Sequence, residues 1–224
     1  MKLKLTTKVL ALAGALALPM ATVSASDIYI TPKLNYGATL MKGVTSYYHG
    51  WGGGVNERLG TEWDDSFGLS LAAGYDFSEK FNQPVRTELE YATFTKAETS
   101  PLRYPTEYYK QSHQVRTLFM NVYYDINTNT KFTPYIGAGL GAGFVKTKGF
   151  SYSEPIDSKY VTKVAWNVGI GVGYQLADNL TLDVSYRFTD LGRVKTKAVG
   201  WFEEQMLTKD LYQHNIGIGV RIGF

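Results

Sequence analysis

The sequence predicts an all-β chain, an eight-stranded antiparallel up-and-down transmembrane β-barrel. Three observations predict it. Apolar residues alternate with small or polar ones through eight separate stretches. The connections between those stretches alternate between short and long. The last stretch carries an apolar face edged by aromatics and ends on Phe224.

The chain opens with a secretory signal. Lys2, Lys4 and Lys8 form a basic start, and residues 9–18 are an apolar run too short to cross a bilayer as a helix. Val23, Ser24 and Ala25 give the small-residue pattern of a cleavage site, so residues 1–25 are expected to be removed and residues 26–224 to form one barrel domain. Three of the 23 lysines and arginines lie in that signal, which leaves 20 basic against 20 acidic residues. The basic balance of the whole chain therefore belongs to the export signal and gives no argument for a nucleic-acid partner. There is no cysteine, which excludes disulfides and thiolate metal sites, and no cofactor is expected. Mean hydropathy is −0.18, because alternation averages a barrel's signal away.

Successive side chains of a strand point to opposite faces, so each stretch divides in two. Residues 27–41 place Ile28, Ile30, Leu34, Tyr36, Ala38 and Leu40 against Lys33, Asn35, Gly37 and Thr39. Residues 66–77 place Phe67, Leu69, Leu71, Ala73, Tyr75 and Phe77 against serines, glycines and Asp76. Residues 85–95 set Val85, Leu89 and Tyr91 against Arg86, Glu88 and Glu90. Residues 113–126 set Leu118, Met120, Val122, Tyr124 and Ile126 against Thr117, Phe119, Asn121, Tyr123 and Asp125. In 132–147 and 161–176 the second face is largely glycine, and in 180–191 it is Thr181, Asp183, Ser185, Arg187 and Thr189.

In the final stretch, 211–224, Tyr212, His214, Ile216, Ile218, Val220, Ile222 and Phe224 oppose a face with Gly217, Gly219, Arg221 and Gly223. A face thinned to glycine fits a narrow barrel interior. Tyr212 and Phe224 at the limits of the apolar band match interfacial girdles. Each stretch is long enough to cross a bilayer at a tilt, roughly 9–11 residues. The expected short connections are 78–84, 127–131 and 177–179, and the expected long loops are 42–65, 96–112, 148–160 and 194–209. That alternation is the arrangement of short periplasmic turns and long extracellular loops.

The stretches NVYYDI (121–126), PYIGAGLGAGF (134–144), LTLDVSYRFTDLG (180–192) and GIGVRIGF (217–224) resemble the opacity-protein and related surface-antigen family of small outer-membrane barrels. The resemblance covers essentially the whole chain after the signal. It implies an outer-membrane location, outer-membrane lipid as surroundings, and surface-antigen or adhesin roles. Phe224 resembles the terminal assembly signal of such barrels, which implies the barrel-assembly machinery as a partner.

Several residue groups carry candidate chemistry. By parity Lys33, Arg86, Glu88, Glu90, Asp183, Arg187 and Arg221 face the lumen, where they must pair or meet trapped water. A structural plug is the expected role; a narrow channel for small solutes or ions is the alternative. The glycines recur every second residue within strands, so they make lumen space and are no dinucleotide loop. His49 sits in a Gly/Tyr-rich loop, His113 at a strand mouth beside Ser112 and His214 on the lipid face; none has a His-x-Ser pattern, no two lie close in sequence, and no catalytic residue is assigned. A lipid-modifying enzyme is the third and least favoured class. Lys42, Arg116, Lys146 and Lys148 share the greasy parity but lie past the apolar band, where lipopolysaccharide phosphates sit; snorkelling is the plainer reading. Tyr47, Tyr48, Trp51, Tyr108, Tyr109 and Trp201 put aromatics in the long loops, where a host or surface ligand could meet them.

Overall fold

The computed structural model describes residues 27–50, 53–59, 61–95, 97–99, 109–151, 154–199 and 204–224. In chain order the elements are β1 (Ile28–Gly50), β2 (Gly53–Leu59), β3 (Glu62–Asp76), the one-turn helix α1 (Ser78–Phe81), β4 (Val85–Phe94) and β5 (Ala97–Thr99). Then come β6 (Tyr109–Asp125), β7 (Phe132–Ser151), β8 (Glu154–Ala177), β9 (Leu180–Val199) and β10 (Glu204–Gly223).

Eight of these strands form the wall, in the ring order β1-β3-β4-β6-β7-β8-β9-β10, and β10 pairs back onto β1. Every wall pairing is antiparallel. Closure leaves no unpaired edge, which is what a sheet needs to exist in hydrocarbon. The short strands β2 and β5 pair only with the far ends of β1 and β6.

Short turns join the strands at one rim: residues 77–84, residues 126–131 and the pair Asp178-Asn179. Asn82 and Asn129 take positive φ there, at 51° and 56°, a conformation asparagine tolerates. Phe224 donates its N–H to the Ile28 carbonyl at 3.1 Å, so both ends of the described chain meet at this turn rim.

The opposite rim differs from the sequence expectation. Most of the expected long loops are strand. β1 and β2 stay paired up to Gly50 and Gly53, and β7 and β8 up to Ser151 and Glu154. Likewise β9 and β10 are paired out to Val199 and Glu204. An antiparallel ladder already in register extends by satisfying its own backbone donors, so hairpins rise from the wall where loops were expected.

The outer face of the wall is apolar. Leu34, Leu69, Leu71, Leu89, Met120, Val122, Ile136, Leu140, Val168, Ile170, Ile216 and Ile218 are all exposed there. On β8 the band runs from Val164 to Tyr174; at ~3.4 Å per residue and a ~40° tilt it is about 26 Å tall, the thickness expected of a barrel's lipid-facing belt.

Candidate functional site

The eight inward faces fill the barrel with side chains in three layers. The layer nearest the turn rim is ionic. Arg86 holds Asp125 with two bonds, Nε to Oδ2 at 2.5 Å and Nη2 to Oδ1 at 2.9 Å. Its Nη1 lies 3.5 Å from Glu88 Oε1. Lys33 bridges Glu88 at 3.0 Å and Glu90 at 2.9 Å, and Arg187 grips Glu90 with both terminal nitrogens at 2.5 and 3.0 Å. Arg221 pairs with Asp183 at 3.2 Å. All seven lumen charges named from the sequence thus belong to these ion pairs.

One acid that the sequence reading left out of the group, Asp125, completes it. Four cations now face four carboxylates, so the layer is neutral. Parity already put Asp125 inside, but its partnership with Arg86 depends on the register between β4 and β6. Three tyrosines also join. Tyr29 donates to Glu88 at 3.1 Å and Tyr135 to Asp183 at 2.7 Å, while Arg187 donates to Tyr123 at 3.2 Å. The Arg86 guanidinium lies 5.0 and 4.9 Å from the ring centres of Tyr123 and Tyr135, within cation–π range.

The lumen glycines are slots for these rings. Tyr29 pairs across the sheet with Gly74, Tyr123 with Gly137 and Tyr135 with Gly171. A Cβ on Gly137 would stand 2.3 Å from the Tyr123 ring, and one on Gly171 would stand 2.4 Å from Tyr135. Each ring therefore lies flat over its neighbour, which lets three tyrosines fit inside an eight-stranded wall.

Above the charges lies an amide and hydroxyl layer that includes Asn121, Asn167, Thr189, Gln213 and Asn215, all buried. Above that the interior turns apolar: Ala92, Phe94, Val115, Phe119, Val145, Ala165, Leu191 and Leu211 form one buried cluster. This cluster is not among the expected lumen groups, yet the sequence carries a signal for it. At Val115-Arg116 and Val145-Lys146 the alternation reverses phase: the inward residue is apolar and the outward one charged. Reversal marks where a strand leaves hydrocarbon for water.

A bulge serves the same transition. Leu211 faces the doubled positions Leu191 and Gly192, where the β9–β10 register shifts, and Gly192 has φ 73°. One extra residue swaps the faces beyond it. Leu191 keeps the inward parity of Thr189, and beyond the bulge Arg193 points outward to Asp210 at 2.8 Å.

At the turn rim the lumen opens into a cavity of about 610 Å³, lined in part by Asp27, Asp76, Asp178 and Gln175. Tyr29, Asp125 and Arg221 also line it, so the ionic layer closes its inner end.

On the outer wall, Arg116 and Lys146 lie together in a groove of about 270 Å³ with Gln114, Tyr91 and Phe144. Lys42 is exposed on β1, across the ring from β7, and cannot join them. Lys148 lies on β7, its side chain outside the described residues. His214 sits on the outer wall with Nδ1 2.7 Å from the Tyr186 hydroxyl, against the rings of Trp63 and Phe188. Trp51, Tyr108 and Trp201 lie outside the described residues, as do the side chains of Tyr47, Tyr48 and Tyr109.

Comparison with known proteins follows the same lines. The chain is 33% identical over 194 residues to the outer membrane protein PagN of Salmonella typhimurium, covering 78% of this chain and 79% of that one. It is 28% identical over 170 residues to an opacity protein of Neisseria gonorrhoeae, covering 63% and 70%. A Rickettsia typhi protein whose name proposes an adhesin matches at 34% over 115 residues, about half of each chain. Among solved structures, Neisserial surface protein A superposes with a TM-score of 0.50 at 20% identity, covering 90% of this chain and 100% of that one. OprG of Pseudomonas aeruginosa superposes at 0.51 and 18%, covering 89% and 98%. The model of the outer membrane protein beta-barrel domain matches residues 9–224. A closed antiparallel ring with an apolar outside, together with a match over nearly the whole chain, places this protein in the outer membrane as a member of the outer membrane protein beta-barrel domain family.

Proposed function

We propose that this protein is a non-catalytic surface adhesin whose barrel is a rigid, closed mount for the hairpins above it. The filled lumen carries this reading. A neutral ionic layer at one end and an apolar cluster at the other stand in series across the interior. On this reading Lys33, Arg86, Glu88, Glu90, Asp183, Arg187 and Arg221, with Asp125, form a structural plug. The names of the Neisseria and Rickettsia relatives support a surface role. Tyr47, Tyr48, Trp51, Tyr108, Tyr109 and Trp201 would supply contacts to a partner cell's surface, since exposed aromatics favour binding hot spots.

Residues 1–25 would be cleaved on export, and Phe224 would present the closing strand to the assembly machinery. Phe224 lies beside Ile28 at the β1–β10 seam. Short turns would face the periplasm and the hairpins the exterior.

The test is attachment of bacteria displaying the protein to cultured host cells. Replacing residues 44–59 with a two-residue turn should leave the barrel's heat-dependent gel shift intact and lower attachment severalfold. Undiminished attachment after each of the four long connections is replaced in turn would overturn the adhesin reading.

A further inference from the structure

We propose that the closing seam between β1 and β10 holds a bound water in place of one ladder rung, with the Val220 carbonyl, the Thr31 hydroxyl and the Arg221 Nε as its ligands. The site lies where Pro32 interrupts the wall, and three observations meet there.

The missing rung comes first. Asp76 donates its N–H to the Asp27 carbonyl on the β3 side of β1, and Phe224 donates to the Ile28 carbonyl on the β10 side. Hydrogen-bonded pairs recur at every second residue of an antiparallel ladder, so odd residues of β1 bond to β3 and even ones to β10. Pro32 therefore turns its nitrogen toward β10, and that nitrogen carries no hydrogen. The seam shows the result. Its pairing runs through Ile30↔Ile222, resumes at Lys33↔Gly219, and lacks the positions between. Continuing the same register sets Pro32 opposite Val220 and Thr31 opposite Arg221. The Val220 carbonyl thus loses its ladder donor within a wall that hydrocarbon covers from outside. Pro134 differs, because it sits on the outermost β6–β7 rung, where Ile126 donates to its carbonyl at 2.8 Å and the turn begins.

Two buried polar groups flank the gap. Thr31 is 1% exposed, and its hydroxyl has no hydrogen-bond partner among the described residues. Arg221 donates Nη2 to Asp183 at 3.2 Å and holds its guanidinium 5.3 Å from the Tyr29 ring centre, yet its buried Nε donates to nothing among the described residues. Both side chains face the lumen, on the kind of rung that brings opposed side chains closest. Buried polar groups are nearly always paired, so two orphans beside a missing rung point to a shared ligand.

Chemistry and access name the ligand. The carbonyl needs a donor, the Nε–H needs an acceptor, and the hydroxyl serves as either. A metal cation would face the guanidinium, and an anion would face the carbonyl oxygen. Water meets all three groups, with about the three hydrogen bonds a buried water makes. Arg221 also lines the cavity of about 610 Å³ at the turn rim, which brings solvent to the guanidinium.

The test is nuclear magnetic resonance of the isotope-labelled protein, purified from outer membranes into lipid nanodiscs, reading water cross-peaks at the Arg221 Nε–H. The expected result is a cross-peak whose laboratory-frame and rotating-frame Overhauser effects have opposite signs, which a held water gives and proton exchange with bulk water does not. Pro32→Val restores the backbone N–H on a side chain that faces lipid, so it should keep the heat-dependent gel shift and lose the cross-peak. Pro32→Ala restores the same N–H with a smaller side chain and should lose it too. Pro134→Val should keep it, and loss there as well would overturn the assignment to the seam. A parent protein without the cross-peak would overturn the site, as would equal cross-peaks in the parent and both Pro32 variants.

Discussion

At Lys33 a single buried ammonium serves two carboxylates that would otherwise repel one another. Replacing it with methionine keeps the stem's volume and strands Glu88 and Glu90 in the lumen. Lys33→Met should cost about 3–5 kcal/mol, the penalty for breaking a buried pair, read as a lower urea midpoint for the refolded barrel in vesicles. Gly137 makes a second prediction of opposite chemistry. Alanine normally suits a strand better than glycine, but here its Cβ would meet the Tyr123 ring. Gly137→Ala should destabilise by about 1–3 kcal/mol through overpacking. In a Tyr123→Ala background the same change should cost little, so the two substitutions should be strongly non-additive in a double-mutant cycle. Which residues face inward was legible from period two alone. Which of them touch was not: Glu90 and Arg187 are 97 positions apart, and no local pattern carries that distance.

The strands cross two solvents, and their sequence changes rule between them. Within the lipid-facing band the apolar face points out; past it, Val115 and Val145 point in while Arg116 and Lys146 point out. Reading the whole stretch with a single rule found the band and overlooked the apolar cluster. The hairpins are not legible as strand by that rule, because ladders above the membrane need no greasy side and so show no alternation. In β9 the change of rule is made by backbone geometry at Gly192. A β-branched residue there would be forced to positive φ, so Gly192→Val should lose about 1–3 kcal/mol and return Arg193 toward the apolar cluster. The fraction of refolded protein showing the heat-dependent gel shift measures it, with Gly192→Asn, which tolerates positive φ better, as the milder variant.

For the molecule as a whole, the interior decides between mount and channel. Two closures in series predict that the protein in a planar bilayer conducts no more than the bilayer's own leak. Phe119→Ala/Leu191→Ala thins the apolar cluster but leaves the ionic layer in place, so conductance should stay at baseline. Channel steps in the parent protein would reverse the choice in favour of a narrow pore. The ionic layer has one more consequence, for how the barrel is made. Glu90 on β4 is neutralised by Lys33 from the first wall strand and Arg187 from the seventh. The Arg187 partnership cannot form until the seventh wall strand is in place, so before then Glu90 lacks the guanidinium that grips both its oxygens. Insertion intermediates lacking the last two strands should therefore be short-lived, making charge burial a checkpoint that only a sealed cylinder passes.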